Sequence, residues 1–343
     1  MLQVTWQGAK SMNKKKRPTL QDIANVVGVT KMTISRYLRD HSQVSAEMQK
    51  KIAVAVEDLG YIPNRAPDLL SNAKSHAIGI LVPSLTNQVF SEVIRGIEAI
   101  TEAAGYQTML AHYGYSAERE EERISYLLSY HIDALILSES QHTARTLKMI
   151  ATAGIPVVEM MDVTSPAIEQ AVGVDNFDAS YCMVSAMIDR GYKQIVYLGA
   201  RLDVRTQLRQ QGYEKAMQEN GLLSKSMMTE APSSFTLGAE LLQKTLTNYP
   251  ETDGIFCTND DLAVGAVFEC QRQGIRIPQD IAIAGFHGHD IGQSMVPRLA
   301  TVVTPREKIG QVTAEQLIAR LNGQPINEKV IDLGFEIRIG ESI

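Results

Sequence analysis

The sequence predicts an all-α helix-turn-helix head plus a hinge, followed by an α/β body of two lobes built from parallel, doubly wound sheets. Three observations predict it. A short, basic, hydroxyl-rich helix, "TKMTISRYL" (residues 30–38), stands near the start. The charge is split: residues 1–76 carry 12 Lys/Arg against 6 Asp/Glu, and the remainder 21 against 33. From Ser75 onward, continuous apolar runs alternate with amphipathic stretches, the pattern of strands buried on both faces of a sheet by helices.

The chain has 343 residues, room for two or three domains. Its 44% hydrophobic and 21% charged residues suit a soluble globular protein. No apolar run is long enough to span a bilayer, and the basic start "MLQVTWQGAKSMNKKKRP" lacks the apolar core of a secretory signal. Three cysteines, Cys182, Cys257 and Cys270, show no metal-ligand spacing. An odd count without a signal points to a reducing cytoplasm and to thiols packed as small hydrophobes. Residues 1–13 match no pattern and are expected to be a disordered extension, with Met12 a candidate start. The charge split implies a polyanion-binding head on an acidic body that duplex DNA would repel.

The head is expected over residues 14–61. A first helix runs from Thr19 to Val27, with Thr19 and Asp22 at capping-box spacing and Leu20, Ile23, Ala24 and Val27 on one face. Gly28 makes the turn. The second helix is the opening stretch, and a third runs from Ser45 to about Leu59. Ala24, Gly28, Val29 and Ile34 stand at helix-turn-helix spacing, the small Ala allowing close approach and Val29 and Ile34 filling the corner. Such a second helix offers its N-terminal end to the major groove. Lys31 suits guanine O6/N7 and Met32 a thymine methyl; Thr30, Thr33, Ser35 and Arg36 suit phosphates or base edges. Thr19, Tyr61 and Asn64 join these as candidate DNA-binding residues. The hinge is expected over 62–74, where Leu69 and Leu70 are oddly apolar for a solvated linker. A leucine there either wedges into a minor-groove base step or docks on the body.

The body is expected as an N-terminal lobe, 75–174 plus about 305–325, and a C-terminal lobe, 175–304 plus about 326–343. Strand-like runs are "AIGILVPS", "YQTMLAHY", "IDALILSE", "IPVVEMMD", "QIVYLGA", "GIFCTND" and "IAIAGFHG". The pattern pauses near Ala171–Asp178 and repeats. Ligands bind such sheets at strand carboxyl ends, and polar residues gather there: Ser84, Asn87, His112, Glu139, Asp162, Asn259, Asp260 and His287, with Arg205 and Arg209 after "YLGA". Carboxylates and amides suit hydroxyls, and arginine suits a carboxylate, so a polyhydroxylated acid is the expected ligand.

An enzyme is not expected. No G-x-G-x-x-G follows a strand, and no P-loop, G-x-S-x-G or H-E-x-x-H occurs. His287 and His289 are too close-set for a metal pair. No catalytic residue, metal or cofactor is therefore assigned. A solute-binding protein, the alternative for a bilobed body, needs an export signal and no basic head; this chain has the reverse.

From about Lys14 the chain resembles the LacI/GalR family of bacterial repressors. The resemblance rests on "TKMT", "YIPNRAP", "PSLTNQVF", "GYQTMLAHYGY", "CTNDDLAVGA" and "AGFHGHDIG", closest to its gluconate- and idonate-type members. It implies a periplasmic-binding-protein-like body, a homodimer on a double-stranded operator, and a small-molecule effector such as gluconate. It also implies that Lys31, Met32 and Arg36 contact bases and that Leu70 is the minor-groove wedge of a hinge that folds on DNA. Asp260, Arg209 and Arg205 match effector-contacting positions, and Phe90, Asp162 and His287 lie on loops matching cleft loops. Where the family commonly has a stacking aromatic, this chain has Ser233 or Ser234, which favours an open-chain acid.

Overall fold

The computed structural model describes residues 17–63 and 74–343. The expected extension and most of the hinge, Asn64 and Leu70 included, lie outside the described residues. The chain forms two compact units, Met1–Ala73 and Lys74–Ile343.

The first unit holds α1 (Leu20–Val27), α2 (Lys31–Arg39) and α3 (Ala46–Leu59). Local chemistry sets each boundary. The Asp22 amide donates to Thr19 Oγ1 at 3.3 Å and the Thr19 amide to Asp22 Oδ2 at 2.7 Å, a complete capping box. Gly28, at φ 78°, takes the left-handed conformation that ends α1, and its amide donates to the Ala24 carbonyl. Thr30 caps α2 and Ser45 caps α3 through their hydroxyls. Ile23, Ile34 and Ile52 are fully buried beside Ala24, so a single isoleucine from each helix defines this small core. Tyr61 also packs there, 9% exposed.

The second unit begins with β1 (Ala77–Val82), α4 (Val89–Ala103), β2 (Gln107–His112), α5 (Ala117–Ser129), β3 (Ala134–Leu137), α6 (Ala144–Ala153), β4 (Val157–Asp162) and β5 (Ala171–Val174). It continues with α7 (Asn176–Asp189), β6 (Ile195–Ala200), α8 (Val204–Glu219), β7 (Lys225–Thr229), α9 (Phe235–Asn248), β8 (Gly254–Cys257), α10 (Asp260–Gln273), β9 (Ala282–His287), α11 (Asp290–Ser294) and β10 (Ala300–Val303). It ends with α12 (Arg306–Leu321), β11 (Val330–Asp332) and β12 (Glu336–Arg338). Two six-stranded sheets result, ordered β11-β5-β4-β3-β1-β2 and β12-β10-β9-β8-β6-β7. Every pairing is parallel except β10 with β12. Both sheets place strand carboxyl ends beside the segments where the chain passes between lobes: after β5, after β10 and after β11.

Two expectations need correction. The pause at 171–178 is no interruption: it is β5 followed by the first turn of α7. "AVGV" is only four residues long, too short for periodicity to announce it. The last return to the second lobe falls after Asp332, not near 326, because β11 pairs with β5 in the first sheet (Val330 opposite Ala171). β7 was also missed; its "KSMMT" is half-buried throughout and lacks a continuous apolar run. Among the described residues, no helix is long and apolar enough to cross a membrane.

The first lobe is closed by α12 lying on α4. Gly96 and Gly310 face the partner helix so closely that a methyl on Gly310 would fall onto the Val93 carbonyl, and one on Gly96 onto that of Glu307. Backbone cannot yield there as a flexible side chain would. We predict that Gly310→Val lowers the stability of the second unit by about 1–3 kcal/mol, read as a lower urea midpoint. An unchanged midpoint would mean that the helices are free to separate.

Candidate functional site

Two surfaces carry candidate chemistry. The first is the outer face of α2. Ile34 and Tyr37 turn inward and are buried, which leaves Lys31, Met32 and Arg36 exposed, Met32 at 64%. Thr30 is committed to the helix cap, its Oγ1 accepting from the Thr33 amide at 3.3 Å, and the two hydroxyls lie 3.0 Å apart. Arg36 Nη2 sits 3.7 Å from Met32 Sδ, one turn along the helix. Thr33 and Ser35 are half-buried on the flanks. Thr19 is exposed at the start of α1. Tyr61 does not belong to this face; its ring completes the core of the first unit.

The second surface is the cleft between the lobes of the body. A cavity of about 20 Å³ lies there, lined by Asn87, Val89, Phe90, Tyr115, Met161, Arg201, Asp203, Arg205, Thr206, Arg209 and His287. That is room for about one water, far below the several hundred Å³ of a usual ligand pocket. The cleft is shut, and arginines shut it. Arg205, on α8, donates through Nη1 to the Ser138 carbonyl at the end of β3. Its Nη2 lies 3.7 Å from Glu139 and 3.6 Å from Asp203. Arg306, at the start of α12, grips Glu92 with Nε and Nη2 at 3.1 and 3.0 Å while Nη1 donates to the His287 carbonyl. Arg201 stacks over the Tyr115 ring, 5.3 Å from its centre.

Arg209 forms the floor. Its Nε and Nη2 donate to Asn176 Oδ1 at 3.0 and 2.8 Å, its Nη1 to the Thr258 carbonyl at 2.6 Å, and its guanidinium lies 3.7 Å from the centre of the Phe286 ring. Burial holds its pKa down to about 10, so it remains a cation at neutral pH. Burial, with Arg209 nearby, holds His287 well below the usual imidazole range; it is a neutral ring, with Nδ1 3.2 Å from Thr304 Oγ1.

Of the eleven expected cleft residues, Asn87, Phe90, Arg205, Arg209 and His287 line the cavity. Six do not. Ser84 turns its hydroxyl onto the loop amides of Thr86 and Asn87. His112 is exposed at the end of β2, an edge strand. Glu139 stands behind Arg205 as its ion-pair partner. Asp162 accepts from Thr164, Ser165 and the Asn176 amide. Asn259 is the N-cap of α10 and also accepts from Ser233 Oγ. Asp260 is fully buried, accepting from the His289 amide at 2.6 Å and from Thr301 Oγ1 at 2.7 Å. Burial of polar atoms requires such partners, and these partners belong to the protein.

Sequence reading missed Tyr115, Met161, Arg201 and Asp203. Backbone strain marks most of them. Seven non-glycine residues among those described have positive φ, and four of these line the cavity: Tyr115 (61°), Met161 (84°), Arg201 (72°) and His287 (108°). Such conformations gather at ligand sites, and nothing in side-chain chemistry announces them.

A small capped head whose second helix presents a cationic face, and a bilobed body with an arginine-lined cleft, define a ligand-domain transcription regulator. Comparison with known proteins gives the family. The model described as "Periplasmic binding proteins and sugar binding domain of LacI family" matches residues 75–334, and "Bacterial regulatory proteins, lacI family" matches residues 19–64. The chain is 61% identical over 330 residues to the HTH-type transcriptional regulator GntR of Escherichia coli K12, covering 96% of this chain and 100% of that relative. It is 45% identical over 328 residues to IdnR of the same organism, covering 95% and 99%. A LacI-family regulator from Silicibacter pomeroyi superposes with a TM-score of 0.90 at 31% identity, covering 95% of this chain and 99% of that one. This chain belongs to the LacI family of bacterial regulatory proteins. It is a DNA-binding transcriptional repressor and not an enzyme.

The loop that carries Ser138 and Glu139 is anchored from below. His142, its side chain buried, lies 2.8 Å from Glu120 and 3.3 Å from Glu159. Burial alone would lower its pKa, but the hydrogen bonds with Glu120 and Glu159 outweigh that and raise it to about 9. A pKa raised on folding gives stability that is complete below the unfolded value, about 6.5, and is lost as pH rises through 9. We predict that the urea-midpoint difference between the wild type and His142→Gln is large at pH 6 and shrinks by pH 9.5. A difference that stays constant with pH would show that His142 is uncharged in the folded chain.

Proposed function

We propose that this repressor releases or binds its operator according to a gluconate-like sugar acid held between the two lobes, and that it acts as a homodimer on a near-palindromic site. One observation carries the reading. The residues lining the cleft include three arginines and a single carboxylate, Asp203, so the cavity favours an anion. Asn87, Asp203 and Thr206 add groups that pair with hydroxyls. Ser233 and Ser234, where a stacking aromatic would stand, are committed to Asn259 and to the cap of α9; an open-chain acid needs no stacking face. The resemblance of the sequence to gluconate- and idonate-type members of the family supports a sugar-acid effector. Among the described residues, no cluster of His, Cys, Asp and Glu that could hold a metal competes for the role.

On this reading Lys31, Met32 and Arg36 read base edges while Thr19, Thr30, Thr33 and Ser35 meet phosphates. Two heads then sit about 10 bp apart. As the family resemblance implies, Leu70 would be the minor-groove wedge, with Asn64 a further candidate DNA contact. Because the shut cleft holds about one water, entry of a sugar acid requires Arg205 to leave Ser138. Lobe opening is thereby tied to ligand binding, and the reciprocal effect on DNA follows from linkage, typically about 1–3 kcal/mol.

The test is an anisotropy titration of the full chain against a duplex selected from a random pool, with and without gluconate and related acids. The expected result is salt-sensitive duplex binding whose affinity shifts roughly 5- to 150-fold with one of the acids. Duplex binding indifferent to every sugar acid would overturn the effector reading. We further predict that Lys31→Ala weakens binding to the selected duplex by about 1–3 kcal/mol and relaxes preference at one base pair. A loss that is uniform across sequences would instead make Lys31 a phosphate contact.

A further inference from the structure

The cleft arginines are not equivalent, and the difference singles out one of them. The Arg209 donors face Asn176 and the Thr258 carbonyl. Arg205 is held by the Ser138 carbonyl and stands between Glu139 and Asp203. An incoming carboxylate has to displace a protein oxygen to gain either. Arg201 has no such hydrogen-bonded partner: no carboxylate of the described residues lies within ion-pair distance of it, Asp203 acts on it only at longer range, and its Nε is buried without an acceptor. Its guanidinium lies over the face of Tyr115, across the cleft. A buried guanidinium donor without an acceptor is costly, and here it sits on the wall of the cavity.

The backbone points the same way. Arg201 and Leu202 adopt left-handed φ in succession, 72° and 52°, a strained arrangement for two residues with side chains. Tyr115, opposite, is left-handed as well, and its hydroxyl accepts from Asn87 Nδ2 at 3.3 Å. The fold holds two strained residues face to face, and their contact is a cation over a ring, which a carboxylate can replace with two charge-assisted hydrogen bonds.

We propose that Arg201 is the residue that grips the carboxylate of the sugar acid, exchanging the Tyr115 ring for the ligand and thereby setting the preference for acids over neutral polyols. Arg209 then orients hydroxyls from the floor, and Arg205 remains the contact that ligand entry must break. This assignment rests on the sugar-acid reading given above.

Calorimetry on the full chain tests it with gluconate and with gluconamide, the same chain of hydroxyls without the charge. The wild type is expected to prefer gluconate roughly 10- to 100-fold. Arg201→Gln should abolish that preference while leaving gluconamide affinity within about 3-fold, and Arg201→Lys, which keeps the charge, should retain most of it. Operator binding in the absence of ligand serves as the folding check. If the wild type binds gluconate and Arg201→Gln keeps the preference, this assignment alone falls. Equal loss of both ligands in Arg201→Gln would make Arg201 structural and overturn it too. If the wild type binds neither compound, both the sugar-acid reading and the assignment fall.

Discussion

The body depends on one buried amide. Asn176 is the first residue of α7, where the chain first leaves one lobe for the other, and it is fully buried. Its Nδ2 donates back to the Met161 carbonyl and to Asp162 Oδ1 at the end of β4. Its Oδ1 receives two donors from Arg209, on the far side of the crossing. A single side chain therefore ties the end of a first-lobe strand to the floor of the cleft. Only an amide can do this, since the position needs donors on one side and an acceptor on the other. A carboxylate would face Asp162 with like charge, and an apolar residue would leave the Arg209 donors buried and unpaired.

Around that joint the cleft is organised by cations. A buried guanidinium is tolerable when its donors are satisfied. A backbone carbonyl serves each of three, Thr258 for Arg209, Ser138 for Arg205 and His287 for Arg306, while carboxylates stand beside two of them, Glu139 and Asp203 at Arg205 and Glu92 at Arg306. Arg209 is held by amide and carbonyl oxygens, which satisfy its donors without neutralising its charge, so the floor of the cleft keeps an attraction for anions. Arg205 and Arg306 also take their carbonyls from the opposite lobe. The same bonds that make these cations affordable hold the lobes together, which couples cleft closure to the state of two arginines and not to a wide apolar surface.

Much of this was legible in the sequence, and what was not has identifiable causes. The head could be read because its information is local: Thr19 and Asp22 three apart, Gly28 at a turn, and an isoleucine per helix for the core. Arg205 and Arg209 could be read because they follow an apolar strand in a βα unit, where side chains face the cleft. Asp260 and Asn259 also sit at a strand end, yet one is absorbed by His289 and Thr301 and the other by a helix cap. Strand-end position brings a polar residue to the cleft edge but does not decide whether its hydrogen bonds are already used. Tyr115 and Arg201 were missed for the opposite reason. Their left-handed backbone aims them inward, and neither carries the glycine or asparagine that would signal such a turn.

Charge and mechanics occupy different parts of the chain. The first 76 residues hold a surplus of six positive charges, and the rest a surplus of twelve negative ones. At physiological ionic strength, fields between exposed charges fade over about 8 Å. Beyond that distance, charge on the body exerts little force on charge elsewhere. A small neutralisation in the cleft changes that field even less. On the sugar-acid reading, what a ligand changes is which oxygens the cleft arginines hold, and so the relation between the lobes. On the reading proposed above, regulation of duplex binding works by displacement and requires the body to be stiff enough to transmit it. The close backbone contact at Gly96 and Gly310 gives that stiffness within the first lobe, and the amide joint at Asn176 gives it at the first crossing.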